Sequence, residues 1–158
     1  MEEDDITPGV RIGGDRYRAI SLRFHQLTRA FPDERDDLMR DFLVAAQGES
    51  ARIEVMVRTW DGDGLDVFLA ELAEEFRGWK GARTWRSLED DLTLSAEHAG
   101  SHVRLTWGLH DRLPDDEWRF EMTTSHAPGE DMCALPSRCV PSWSRSRCSG
   151  RRQLVRRL

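Results

Sequence analysis

The sequence predicts an α+β domain of two layers, a mostly antiparallel sheet packed against one main helix over residues 64–77. Three observations predict it. Apolar and polar residues alternate with a period of two in four separate stretches, as strands with one buried and one wet face require. One stretch repeats its apolar residues at helical spacing. No apolar run approaches the ~20 residues that a membrane-spanning helix needs.

The first strands are expected near residues 18–25 and 39–46, where Ile20, Leu22 and Phe24 alternate before a polar loop over 28–38. Ile53, Val55 and Val57 then alternate with Arg52, Glu54, Met56 and Arg58. The helix follows. Leu65, Phe68, Leu69, Leu72 and Phe76 fall at i, i+3, i+4, i+7 and i+11, one face of a 3.6-residue period. Asp61 or Asp63 is placed to cap its first amides and Gly78 to end it. Next come Leu92, Leu94 and Ala96, then Val103, Leu105, Trp107 and Leu109, with Ala99-Gly100-Ser101 as a short turn between them. That arrangement predicts a hairpin of 91–98 and 102–110. After a turn over 111–116, Trp118, Phe120 and Met122 alternate with Arg119, Glu121 and Thr123. Trp107 and Trp118 have the inward phase.

The chain divides by composition into a domain over 1–131 and a tail over 132–158. Seven of the 23 basic residues lie in the tail, all arginine, and none of the 29 acidic residues does. The body is therefore strongly acidic and repels nucleic acid. All three cysteines (Cys133, Cys139, Cys148) also fall there, at spacings that suit neither a disulfide framework nor a zinc site. Prolines, serines and arginines follow one another with no helical or strand period, so the tail is expected to be disordered. The acidic start, Met1-Glu2-Glu3-Asp4-Asp5, lacks the basic residues of a secretory signal. The expected location is the cytoplasm, with no membrane partner.

Residues 59–109 carry a distinctive order of motifs. Trp60-Asp61-Gly62 is followed by Phe68-Leu69-Ala70-Glu71-Leu72-Ala73, then Arg77-Gly78-Trp79-Lys80-Gly81. Trp85-Arg86-Ser87-Leu88-Glu89, Leu92-Thr93-Leu94 and His102-Val103-Arg104-Leu105-Thr106 complete the series. Over residues ~50–131 the chain resembles domain of unknown function 6228, a family of small proteins from high-GC bacteria. The resemblance implies a small, mostly β domain and carries no activity with it. It also implies a final amphipathic helix after Pro128-Gly129-Glu130. Here the sequence turns instead to Arg, Ser, Cys and Pro near residue 132, the composition that out-of-frame GC-rich codons encode.

No catalytic constellation emerges. His98, His102, His110 and His126 sit at expected strand ends without the HxH or helical HxxxH spacing of a ligand set, so they read as solvent-facing, and no metal is expected. Asp61-Gly62-Asp63-Gly64 fails as a calcium loop, because the fifth and twelfth positions are Leu65 and Leu72. Glu89, Asp90 and Asp91 read as a solvated acidic patch. No serine sits in a Gly-x-Ser-x-Gly elbow, no glycine loop suits phosphate, and no cofactor is expected.

The aromatic and basic stretch after the helix is the candidate site: Trp79, Lys80, Arg83, Trp85 and Arg86. Loop aromatics beside arginine are common in binding hot spots. The same rings could equally cap the open end of the core. The expected function is a non-enzymatic protein-binding module, of the size and charge of an immunity or antitoxin-like partner. The alternative is a small-molecule- or metal-binding domain with hydrolytic activity, using His98, His102 and the acids at 89–91.

Overall fold

The structure is a computed structural model that describes residues 10–14, 19–112 and 117–139. Among the described residues eight strands and two helices follow one another. Strands β1 (Val10–Gly13), β2 (Ser21–Arg29), β3 (Met39–Gln47) and β4 (Arg52–Trp60) form the first sheet, in sequence order. A 3-10 turn (Asp61–Gly64) leads into α1 (Leu65–Glu74). Strands β5 (Ala82–Arg86), β6 (Leu92–Ala99), β7 (His102–Arg112) and β8 (Glu117–His126) form the second sheet, and α2 (Glu130–Cys139) follows. Within each sheet, strands adjacent in sequence pair antiparallel.

The domain is therefore a mostly-sheet α+β fold, but with two sheets where one was expected. The alternation of β2, β3 and β4 matches that of β6, β7 and β8, so the strand pattern alone does not divide them. The break is made by α1, which separates β4 from β5. Leu22, Phe24, Val44 and Val57 of the first sheet share one core with Leu94, Leu105, Trp107 and Leu109 of the second. The ring of Phe24 meets that of Trp107 edge-on, with centroids 5.8 Å apart. Leu65, Leu69 and Leu72 of α1 enter the same core.

Helix α1 is shorter than its periodicity suggests. It ends at Glu74, and Phe76 lies exposed instead of completing the apolar face. Its N-cap is Gly64 in a left-handed conformation, without a side-chain cap. Asp63 instead accepts N–H groups from Trp60 at 3.1 Å and Leu88 at 2.7 Å, so it ties the turn to the loop after β5. Trp118 lies on β8 opposite Asp111 and is 37% exposed, so its inward phase does not bury it.

Helix α2 spans residue 131, where the sequence places the end of the domain. Helix α2 continues through Cys139, and Met132 and Leu135 are fully buried against the core. These two residues stand three apart, the helical spacing that brings side chains to one face. The final helix expected from the resemblance is thus built from these residues after all. The stretch 140–158 of the expected tail, with Cys148, lies outside the described residues.

Candidate functional site

The five residues singled out from the sequence do not form one surface. Trp85 and Arg83 pair with the core residues Leu94 and Ala96, so they face inward, whereas Arg86 pairs with Thr93 on the opposite face. Lys80 is exposed in the preceding turn. The Trp85 indole packs against the core and donates its Nε1 hydrogen to the Asp63 carbonyl at 2.8 Å. Trp79 lies edge-on to the His98 imidazole, centroids 5.3 Å apart, with the Arg83 guanidinium over its face. Trp79 Nε1 and His98 Nε2 are both buried without a hydrogen-bond partner among the described residues. A Cβ on Gly78, whose φ is +106°, would come within 3.0 Å of the His98 ring. The absent side chain lets the turn close onto that imidazole.

Arg83 is itself occupied. It donates to both carboxylate oxygens of Glu75, at 2.8 and 2.6 Å. That hydrogen-bonded pairing holds the Glu75 carboxyl below its ordinary range and raises the guanidinium. Trp79 and Trp85 thus occupy packed positions, whereas Lys80 and Arg86 are exposed, Arg86 pairing with Asp90 at 3.4 Å.

The outer face of the second sheet is hydroxyl-rich. Thr84, Ser95, Thr106 and Thr123 fall in one row across its four strands. Beside them lies an open groove of about 490 Å³, flanked by Arg86, Arg119 and Glu121. Gly108 pairs with two residues that line it, Thr93 and Glu121. A Cβ there would sit 2.4 Å from Thr93 Oγ1 and 2.8 Å from His110 Nε2. The bare glycine lets Thr93 and His110 hydrogen-bond at 2.9 Å across the strand.

The outer face of the first sheet is different, and sequence reasoning missed it. Met39 pairs with Trp60, Asp41 with Arg58, and Leu43 with Met56, so all six share that face. Met56 and Trp60 are each 56% exposed. Arg58 donates to both Asp41 oxygens, at 2.8 and 2.9 Å, and lies over the exposed ring of Phe31. The hydrogen bonds it donates to Asp41 raise the Arg58 pKa still further. Loop 30–38 is pinned there by Asp37, which accepts N–H groups from Met39 at 2.8 Å and Phe31 at 2.9 Å. Burial pushes the Asp37 carboxyl up. These two amides, with Arg29 and Arg40 nearby, outweigh it and hold the carboxyl below its ordinary range. The sequence did carry a signal: Met56 and Trp60 are apolar residues in the otherwise charged phase of β4.

A family model described as a family of unknown function, DUF6228, matches residues 14–140. The chain belongs to this family. The match reaches well before the residue-50 limit of the resemblance and runs through α2, so β2, β3 and the final helix all belong to the DUF6228 unit. No curated protein and no solved structure matches the chain. Among the described residues no three His, Cys, Asp or Glu side chains come together as a metal site, and no helix is long and apolar enough to cross a membrane.

Proposed function

We propose that this DUF6228 domain is a non-enzymatic protein-binding module and that its contact surface is the outer face of the first sheet. The observation that carries this reading is the exposed set Phe31, Met56 and Trp60 around the Arg58–Asp41 pair. Aromatic residues, Met and Arg are the types enriched in protein interfaces, and Trp and Arg dominate their hot spots. An oriented arginine beside exposed rings offers such a hot spot without further ordering cost. The test is affinity capture from the source cell with the wild type and the Trp60→Ala and Met56→Ala variants. A partner held by the wild type and released by both variants, at unchanged melting temperature, supports the reading. Equal capture by all three removes this surface from it.

The groove on the second sheet favours a second reading, a small polar ligand held by hydroxyls and by Arg119. Retained ligand in the purified protein, identified by native mass spectrometry and lost in Arg119→Ala, tests it.

A further inference from the structure

We propose that the partner of this surface is a second copy of the chain, joined through strand β4 in an antiparallel pair centred on Met56. The proposal rests on the protein-binding reading above and names its partner. Three observations carry it: an open strand edge, its backbone phase, and a charge pattern complementary to itself.

Strand β4 is the last strand of its sheet, so among the described residues one side of its backbone has no strand beside it. The phase of that backbone is fixed at its end. Asp61 donates its N–H to the Leu38 carbonyl, toward β3, at 2.7 Å. Trp60 donates its N–H to the Asp63 carboxylate instead. In an antiparallel strand the N–H and C=O groups of one residue point to the same side, and successive residues alternate. The unbroken register of β3 and β4 carries that alternation down the strand. Arg52, Glu54, Met56 and Arg58 therefore direct N–H and C=O groups out of the sheet edge. Such a row is a template for another strand.

A two-fold axis at Met56 sets Met56 against itself, Glu54 against Arg58 of the second copy, and Arg52 against Trp60 of the second copy. All of these side chains lie on the outer face. Opposite charges meet directly across the strands, and a guanidinium meets an exposed indole, the favourable cross-strand and cation–π arrangements. Asp41 takes Nε and Nη2 of Arg58, which leaves its Nη1 hydrogens for Glu54 of the second copy. Neighbouring symmetric registers lose this match. An axis at Glu54 sets Glu54 against itself, one at Val55 sets Arg52 against Arg58, and one at Arg58 sets Arg58 against itself. The same pairing joins the two exposed Met56 side chains and extends each four-stranded sheet into one of eight strands.

The test uses the full chain. Sedimentation should show a mass rising from monomer to dimer with concentration, and Glu54→Arg, which sets arginine against Arg58, should shift this by at least tenfold toward monomer. Circular dichroism of that variant should match the wild type and its melting should fall only slightly, since Glu54 is exposed and gives up only its pairs with Arg52 at 3.3 Å and His25 at 3.5 Å. A hydrogen-bonded antiparallel pair places Cα atoms ~5.5 Å apart, within disulfide reach. Met56→Cys should therefore form an intermolecular bridge between the two introduced thiols, identified by peptide mapping against the native cysteines. Arg52→Cys should not, because its two copies lie about 27 Å apart along the strands. A monomer at every concentration, a dimer indifferent to Glu54→Arg, or equal bridging at both positions overturns the proposal. A monomer that still captures a different protein through Trp60 sinks the second copy and leaves the protein-binding reading standing.

Discussion

Trp107 Nε1 donates to Thr124 Oγ1 at 3.1 Å while the edge of the same indole meets Phe24 of the other sheet. One side chain thereby fixes the β7–β8 register and joins the two sheets. Trp107→Ala should cost ~3–5 kcal/mol, the range for a truncated core aromatic. Trp107→Phe should restore part of that, since it keeps a ring against Phe24 but leaves the Thr124 hydroxyl one donor short. Urea denaturation with a shared slope measures both.

Helix α2 provides a second prediction. A chain ending at Asp131 loses Met132 and Leu135, both fully buried. It should be destabilised by ~4 kcal/mol or more, since each such truncation alone costs ~2–5 kcal/mol. A chain ending at Val140 should melt close to the full-length protein. Equal melting of the two shortened chains would show that α2 adds nothing to the core.

The tryptophans separate by role. Trp85→Ala should cost about 2–3 kcal/mol, because the ring packs against the core and its N–H bonds the Asp63 carbonyl. Trp60→Ala, at an exposed position, should stay within about 0.5 kcal/mol of the wild type. Thermal unfolding distinguishes them, and a stability loss at Trp60 equal to that at Trp85 would contradict the assignment.

Two carboxylates have opposite effects on acid stability. Asp37 has a lowered pKa in the fold. Its contribution is present above the ordinary carboxylate range and is lost as pH falls through the lowered value. Asp37→Asn should therefore flatten the acid limb of the stability profile. Burial raises the Asp63 carboxyl despite its hydrogen bonds to the Trp60 and Leu88 amides. Its ionisation disfavours the fold, so the wild type loses stability as pH rises through that raised value. Asp63→Asn should lose that fall in stability with rising pH, and should carry at every pH the loss of one of the two hydrogen bonds, because its amide nitrogen cannot accept an N–H. Asparagine also tolerates the positive φ of 50° at this position. Melting temperatures from about pH 3 to about pH 7 check both signs.

Most of the strand pattern was legible because burial repeats every second residue. Leu92, Leu94 and Ala96 announce β6, and Val103, Leu105 and Trp107 announce β7. Strand β5 was not legible: Ala82–Arg86 is an edge strand of five residues whose inward positions are Arg83 and Trp85. Helix α2 was hidden by composition. Pro136 lacks the N–H that an interior helical position donates, and Arg, Ser and Cys dilute the apolar spacing of Met132 and Leu135. The inward placement of Trp85 and the packing of Trp79 were not legible for a related reason. A tryptophan beside arginines in a Gly-rich stretch has the composition of a binding loop, but composition does not say which way the ring points. The outward phase of Met56 and Trp60 did.

Because each strand after the first of its sheet pairs with the one made just before it, every hairpin of this domain can close locally and early, the condition for fast steps in folding. None of the hairpins can keep its inner face dry alone. The first sheet waits for Trp107 and Leu105, and the core they build remains open on one side until Met132 and Leu135 dock. During synthesis the chain therefore carries a half-covered apolar surface for more than seventy residues after Trp60. The last helix converts that vulnerable intermediate into a finished molecule.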